Sequence, residues 1–187
     1  ENFMPKFRRL IQKVQAVTNA IEGLDKPVIG AINGAAIGGG FDIAVACDIR
    51  LASEAAVFSE AFIRLGLVPD MGATFRLPRL VGLARAKEII LTGDTLSSAE
   101  AERIGLVNRV VPPNQLMEEA QRWAKKVAGG PQLAIKAAKQ LLNNAASTDL
   151  HSALADEMLA QCQLITTQDH QEGIKAFLEK RSPNFQG

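Results

Sequence analysis

The sequence is poor in the residues that mark metal-binding, disulfide-linked and nucleic-acid-binding proteins. Its two cysteines, Cys47 and Cys162, are far apart and form no CxxC pair, so we expect two buried free thiols rather than a zinc site or a disulfide framework. Aromatic residues make up 5% of the chain, tyrosine is absent, and the net charge is +1. This balance gives no basic surface for nucleic acid or for an anionic membrane, and we expect neither as a partner.

Long apolar runs and metal-ligand spacings are also missing. No run approaches the ~18 apolar residues of a membrane-spanning helix. His151 and His170 lie in a helical region without partners at ligand spacing, so we expect no metal. The first residues, Glu1–Lys6, do not resemble a secretion signal. Free thiols are typical of a reducing compartment, so together with the start of the sequence they predict a cytoplasmic location.

The order of predicted elements divides the chain into two regions. Helical spacing over 6–22, apolar runs over 28–32, 48–52, 57–59 and 106–111, and helical segments near 41–46, 73–81 and 83–91 predict an α/β core over residues 1–111. Ser97 and Glu100 form a capping box that opens another helix. From residue 112 to 187 the pattern is helical, and we predict a separate helical region there.

Gly38-Gly39-Gly40 lies between a predicted strand and a predicted helix. Glycines at such a place let backbone N–H groups approach an anion, and the helix N-terminus adds a partial positive charge. The run matches neither G-x-x-x-x-G-K-[ST] nor G-x-G-x-x-G, which favours oxyanion stabilisation over phosphate binding. From these residues alone, a tight turn that needs glycine only for space explains the run equally well.

The surrounding segments resemble a known family. Residues 26–42, KPVIGAINGAAIGGGFD, and 46–50, ACDIR, closely resemble the signature of the enoyl-CoA hydratase/isomerase (crotonase) family. The resemblance continues, in order, through 66–70, 77–82, 91–94, 101–107, 172–173 and 176–181. It implies an α/β spiral of ββα units with a C-terminal helical region that forms trimers or hexamers (dimers of trimers). It also implies an acyl-CoA thioester substrate and no metal or redox cofactor, since CoA is part of the substrate.

The resemblance places one donor of an oxyanion hole at the Gly39 N–H. The second donor belongs to a glycine-rich segment that residues 1–25 do not contain, so we expect the protein to continue upstream. The two glutamates of family hydratases correspond to Asp42, which is shorter, and to Phe62, which cannot ionise. That departure argues against hydration.

Asp70 is the alternative base that the resemblance suggests. Family isomerases carry a working aspartate in the segment that matches 66–70, and a dehalogenase branch uses it as a nucleophile. The leading interpretation is therefore an acyl-CoA double-bond isomerase of fatty acid metabolism in which Asp70 moves the proton. From spacing alone, Asp70 is as well explained as the N-cap of a helix that starts near Met71, and Asp42 as an acid that complements a helix dipole.

Other readings remain open at this level. They are hydration through Asp42, which is a lyase reaction, displacement through Asp70, and a non-catalytic module that binds acyl-CoA or serves assembly. The family correspondence also predicts a set of substrate-binding positions, for which Lys180 has an equal alternative as a cation at a helix C-terminus. These positions are Ala35, Ile37, Gly38, Gly40, Phe62, Leu65 and Lys180.

Overall fold

The computed structural model describes residues 3–187 and divides into two compact units. The first contains the residues up to Leu24 together with Val28–Gln121, and the second contains Asp25–Pro27 with Arg122–Gly187. From the sequence we predict a boundary between residues 111 and 112. The division into compact units does not test this boundary, which stays a prediction.

Helices account for most of the described chain. In the first unit they are α1 (Phe3–Gly23), α2 (Gly39–Ala46), α3 (Ala73–Val81), α4 (Leu83–Thr92) and α5 (Ser98–Arg103). Helix α6 (Leu116–Ala128) runs from the first unit into the second, which also contains α7 (Gln132–Ala145), α8 (Leu150–Leu164) and α9 (Gln168–Leu178). The predicted capping box is present, since the Ser97 side chain accepts a hydrogen bond from the Glu100 N–H at 3.2 Å.

Within residues 3–187, six short strands form two sheets of three strands each. The strands are β1 (Ile29–Ile32), β2 (Ala35–Ile37), β3 (Ile49–Ser53), β4 (Val57–Ser59), β5 (Leu96–Ser97) and β6 (Arg109–Val111). One sheet has the order β1-β3-β6, all parallel, and the other has the order β2-β4-β5, with β2 and β4 parallel. The pairs β1–β2 and β3–β4 each add one strand to each sheet before the next α-helix, as the predicted spiral of ββα units requires, whereas α5 separates β5 from β6.

The core of the first unit lies between the sheets and helices α2 to α5. Phe41, Phe58 and Leu77 are its large fully buried side chains, and alanines such as Ala52 and Ala73 let the elements approach closely. Burying a side chain of this size contributes about 1.5–3 kcal/mol. The apolar runs read from the sequence therefore act mainly to hold the two sheets against the helices.

Two strands and one cysteine differ from the sequence expectations. No strand was predicted for Ala35–Ile37, which form β2, or for Leu96–Ser97, which form β5. Both strands are two or three residues long and are defined by their partners rather than by their own pattern. Cys47 is buried as expected, whereas the prediction for Cys162 is wrong, because its position on α8 is exposed.

The second unit exposes many apolar side chains on its helices. Phe177 is 82% exposed, and Leu142, Leu178 and Ile165 are each at least 60% exposed. Within residues 3–187, no helix has the length and apolar character needed to cross a bilayer.

The backbone is unusual at the turn between β2 and α2. Gly38 has φ of 54° and ψ of −118°, a conformation that residues with a Cβ avoid. The predicted glycine run is thus a structural requirement at its first position. Gly40, two residues on, lies inside α2 with no heavy atom within 4 Å of an added Cβ.

Gly38→Ala is expected to lower the free energy of unfolding of the full-length protein by about 1–3 kcal/mol, because alanine is strained at this φ and ψ. Gly40→Ala is the matched control and should be neutral or stabilising by about 0.5–1 kcal/mol, since alanine is the better helix former. Urea denaturation measures both. Equal stability of the two variants would contradict the assignment of strain to the turn.

Candidate active site

The ends of β2 and β4 lie side by side and form the floor of the site. Ile37 pairs with Ser59, and the Gly38 N–H donates to the Ser59 carbonyl oxygen at 2.9 Å. Helix α2 begins at Gly39, and its N-cap residue, Gly38, has no side chain to accept from the first turn. The N-terminal N–H groups of α2 are therefore available to a partial negative charge on a ligand.

Asp42 lies in the first turn of α2 and is 0% exposed. One carboxylate oxygen accepts a hydrogen bond from the Ala73 N–H at 2.7 Å, and the other has no partner among the described residues. Burial raises the pKa of the Asp42 carboxyl to about 6, against the lowering effect of the Ala73 hydrogen bond. The predicted catalytic Asp42 is thus a dry carboxyl with one oxygen fixed and one free.

Glu60 was not singled out in the sequence, although it is the most unusual acid of the structure. It follows β4 directly, it is 0% exposed, and neither of its carboxylate oxygens has a partner among residues 3–187. Burial, together with the charges of Asp42 and Asp70, raises the pKa of the Glu60 carboxyl to about 8. The sequence shows only that Glu60 follows the apolar run 57–59, because the pairing of β4 with β2 that places it beside the glycine turn is not visible there.

Asp70 is brought to the same place by the loop between residues 66 and 72. Its charge raises the pKa of both Asp42 and Glu60, so the three carboxyls form one cluster. Helix α1 holds the loop: the Gln15 side chain donates to the Asp70 carbonyl oxygen, and the Thr18 hydroxyl donates to that of Met71, each at 2.9 Å.

The alternative role of Asp70 as a helix cap is wrong. The N-cap of α3 is Gly72, and the side chain that accepts from the first N–H of α3 belongs to Asp42. Asp70 is therefore not needed to begin the helix, and its carboxylate is left for another purpose.

Two apolar side chains, those of Phe62 and Met71, lie close to the glycine turn. The Phe62 ring would lie 3.5 Å from a Cβ added at Gly38, and the Met71 sulfur 3.4 Å from one added at Gly39. Among the other predicted substrate positions, Ile37 is 48% exposed and Leu65 is 76% exposed. Ala35 and Gly40 are exposed as well. These predicted substrate positions belong to the first unit, whereas Lys180 lies in the second, exposed and with φ of 53°.

Two further groups have structural roles. Arg76 forms an ion pair with Glu22 at 2.5 Å and donates to the Met71 carbonyl oxygen at 2.8 Å; its charge lowers the pKa of Asp42. The Ser59 hydroxyl donates to the Gly93 carbonyl oxygen at 2.9 Å. In the described part of the chain, no group of three or more His, Cys, Asp and Glu side chains could hold a metal ion.

The arrangement is suited to proton transfer beside a developing oxyanion. Because environments have moved the two pKa values apart, at neutral pH Asp42 is mainly ionised and Glu60 mainly protonated. A base and an acid therefore lie close to the N–H groups of α2, in a water-poor setting where electrostatic interactions are strong.

Comparison with known proteins shows which family this chain resembles. The model of the enoyl-CoA hydratase/isomerase family matches residues 5–187. The chain is 44% identical over 171 residues to a crotonyl-CoA hydratase of Syntrophomonas wolfei, covering 91% of this chain and 66% of that protein. It is 44% identical over 165 residues to a short-chain-enoyl-CoA hydratase of Clostridium acetobutylicum, covering 88% of this chain and 63% of that protein.

Solved structures agree with this relationship. The crystal structure of an enoyl-CoA hydratase from Bacillus anthracis superposes with a TM-score of 0.95 at 41% identity, over 100% of this chain and 72% of that chain. The chain thus spans about two thirds of the length of these relatives. The family match, the sequence identities and the shared fold together show that this chain belongs to the enoyl-CoA hydratase/isomerase family.

Proposed function

We propose that the protein to which this chain belongs is an enoyl-CoA hydratase, which adds water across the double bond of a 2-enoyl-CoA thioester. The observation that carries the proposal is the Asp42 carboxyl, which is buried next to the glycine turn with one oxygen held by Ala73 and one free. A carboxylate with a pKa near 6 is a suitable general base at neutral pH.

The reaction follows from this placement. Asp42 takes a proton from water while the water oxygen bonds to Cβ, and the electron pair of the double bond moves toward the thioester oxygen. The Gly39 N–H, at the positive end of α2, donates to that oxygen and stabilises the enolate. One such donor is typically worth about 3 kcal/mol of barrier. The second donor would come from a segment upstream of this chain.

The relatives support hydration over the isomerisation that the sequence alone favoured. Relatives that are 44% identical to this chain carry hydratase names, among them the proteins of Syntrophomonas wolfei and Clostridium acetobutylicum. The argument against hydration was that Phe62 replaces one of two carboxylates. Glu60 provides another buried carboxyl two residues earlier, so the presence of Phe62 does not leave Asp42 as the only acid of the site.

The remaining expectations belong to the same proposal. CoA enters as part of the substrate, with no metal or redox cofactor, and the protein works in the cytoplasm in fatty acid metabolism. Assembly as a homotrimer or a hexamer is supported by the exposed apolar side chains of α7 to α9, such as Leu142 and Phe177, which require a covering surface. The exposed positions around the turn are proposed to contact the thioester.

Asp42→Asn in the full-length protein is expected to lower kcat for hydration by about 10²–10⁴-fold, because the amide cannot accept the proton of water. The decrease in absorbance of the conjugated thioester measures the rate. In the wild type, kcat should rise as the pH increases through about 6, since the base must be ionised. Asp94→Asn, on an exposed ion pair, is the control; an equal loss in both variants would contradict the role of Asp42.

Isomerisation remains a second candidate because of one observation. The charge of Asp70 acts on both buried acids, so its carboxylate lies in the same cluster, on a loop that α1 holds in place. A carboxylate there is placed to move a proton between two carbons of a bound acyl chain.

If the protein isomerises double bonds, it should convert a β,γ-unsaturated acyl-CoA to the conjugated thioester, seen as a rise in absorbance. Asp70→Asn should then reduce this rate by about 10²–10⁴-fold, because the proton carrier is lost. Hydration of a 2-enoyl-CoA by the same variant is the control. An isomerisation rate that Asp70→Asn leaves unchanged would remove Asp70 from the reaction.

A further inference from the structure

Glu60 is held beside the oxyanion turn by the pairing of two strands. Strands β2 and β4 are parallel and end together at Ile37 and Ser59, and the Gly38 N–H bonds to the Ser59 carbonyl oxygen. The next residues along the chain, Gly38 and Glu60, are therefore neighbours at one edge of the sheet. Asp42 is tied to the same edge, since its N–H donates to the Gly38 carbonyl oxygen at 3.0 Å.

The burial of Glu60 has no structural compensation within the described residues. A buried polar group without a hydrogen bond costs about 1–3 kcal/mol, and a charged one costs more. Both carboxylate oxygens of Glu60 are buried and receive no hydrogen bond from the described residues. The side chain therefore neither caps a helix nor joins two elements through a hydrogen bond. An apolar residue of similar size would suit the fold better, so a carboxyl at this position points to a partner that arrives with the ligand.

The surrounding charges keep this carboxyl neutral. Asp42 faces it from α2 and Asp70 from the loop before α3, and both are negative. From α3, the positive charge of Arg76 lowers the pKa of Asp42, and Arg76 is itself paired with Glu22. Burial and two negative neighbours all disfavour a third charge, so Glu60 holds its proton at neutral pH.

We propose that Glu60 is the acid of the reaction and delivers a proton to Cα of the enolate. The proposal rests on the hydratase function proposed above. Phe62 occupies the position where the family resemblance places a second carboxylate, and its ring packs near Gly38 instead. Glu60 supplies that carboxylate from the end of β4.

The complete reaction balances with these two residues. The water oxygen bonds to Cβ, and its proton moves to the Asp42 carboxylate. The enolate electron pair then forms the Cα–H bond with the proton of the Glu60 carboxyl, which becomes a carboxylate. The proton on Asp42 passes to Glu60, directly or through solvent, and both residues return to their starting states. The sum is the addition of one water molecule.

The test is Glu60→Gln in the full-length protein, with Glu54→Gln as the matched control because Glu54 follows β3 but is exposed. Glutamine has the shape of the protonated acid and cannot release a proton. We expect kcat for hydration to fall at least about 100-fold with KM nearly unchanged, and the control to keep wild-type activity. A Glu60→Gln enzyme with wild-type kcat would overturn the proposal.

A pH profile separates a chemical role from a structural one. Wild-type kcat should fall as the pH rises through about 8, since Glu60 must be protonated to act, and this decline should be absent from the residual activity of Glu60→Gln. The wild-type profile is informative even if the variant does not fold. A wild-type kcat that stays constant through this range would also overturn the proposal.

Exchange of the Cα protons of a saturated acyl-CoA in D₂O distinguishes this inference from the hydratase function. A protein that does not hydrate, yet exchanges these protons in a Glu60-dependent manner, would refute the function and support Glu60. Normal hydration that is insensitive to Glu60→Gln would refute the role of Glu60 and leave the function standing. Neither hydration nor exchange would overturn both.

Discussion

The parallel pairing of β2 with β4 is the constraint on which the site depends. It brings the residues after the two strands together, so that a glycine turn and a buried glutamate meet although they are more than 20 residues apart in the chain. The hydrogen bond from the Gly38 N–H to the Ser59 carbonyl oxygen fixes their spacing. Since α2 begins at the same turn, its N–H groups and Asp42 are positioned by the same contact.

Electrostatics gives the acids of this cluster different tasks. Asp42 has one hydrogen bond and ionises first, near pH 6; its charge then helps to keep Glu60 protonated up to about pH 8. Two identical environments would instead have made both groups bases or both acids at neutral pH. The difference arises because α3 offers a backbone N–H to Asp42, whereas Glu60 receives no hydrogen bond from the described residues.

Much of the fold could be predicted from the sequence, but only part of the site. The helices and the longer strands follow from apolar spacing, and the glycine run and Asp42 follow from motif and resemblance. Strands β2 and β5 could not be recognised, because such short segments are defined by their partners. Glu60 was missed for a related reason: its burial depends on what β4 pairs with, and a glutamate after a strand is usually solvated.

The supporting role of α1 shows the same limit and explains how the loop with Asp70 is held. Gln15, Thr18 and Glu22 are polar residues at helical spacing, which in a sequence indicates a solvent-facing surface. In the structure, Gln15 and Thr18 bind the carbonyl oxygens of the loop, and Glu22 pairs with Arg76. A loop without regular structure needs partners for its backbone, and a polar helical face supplies them. The polar side of α1 therefore keeps Asp70 next to Asp42 and Glu60. The charge of Asp70 raises the pKa of both of these buried acids.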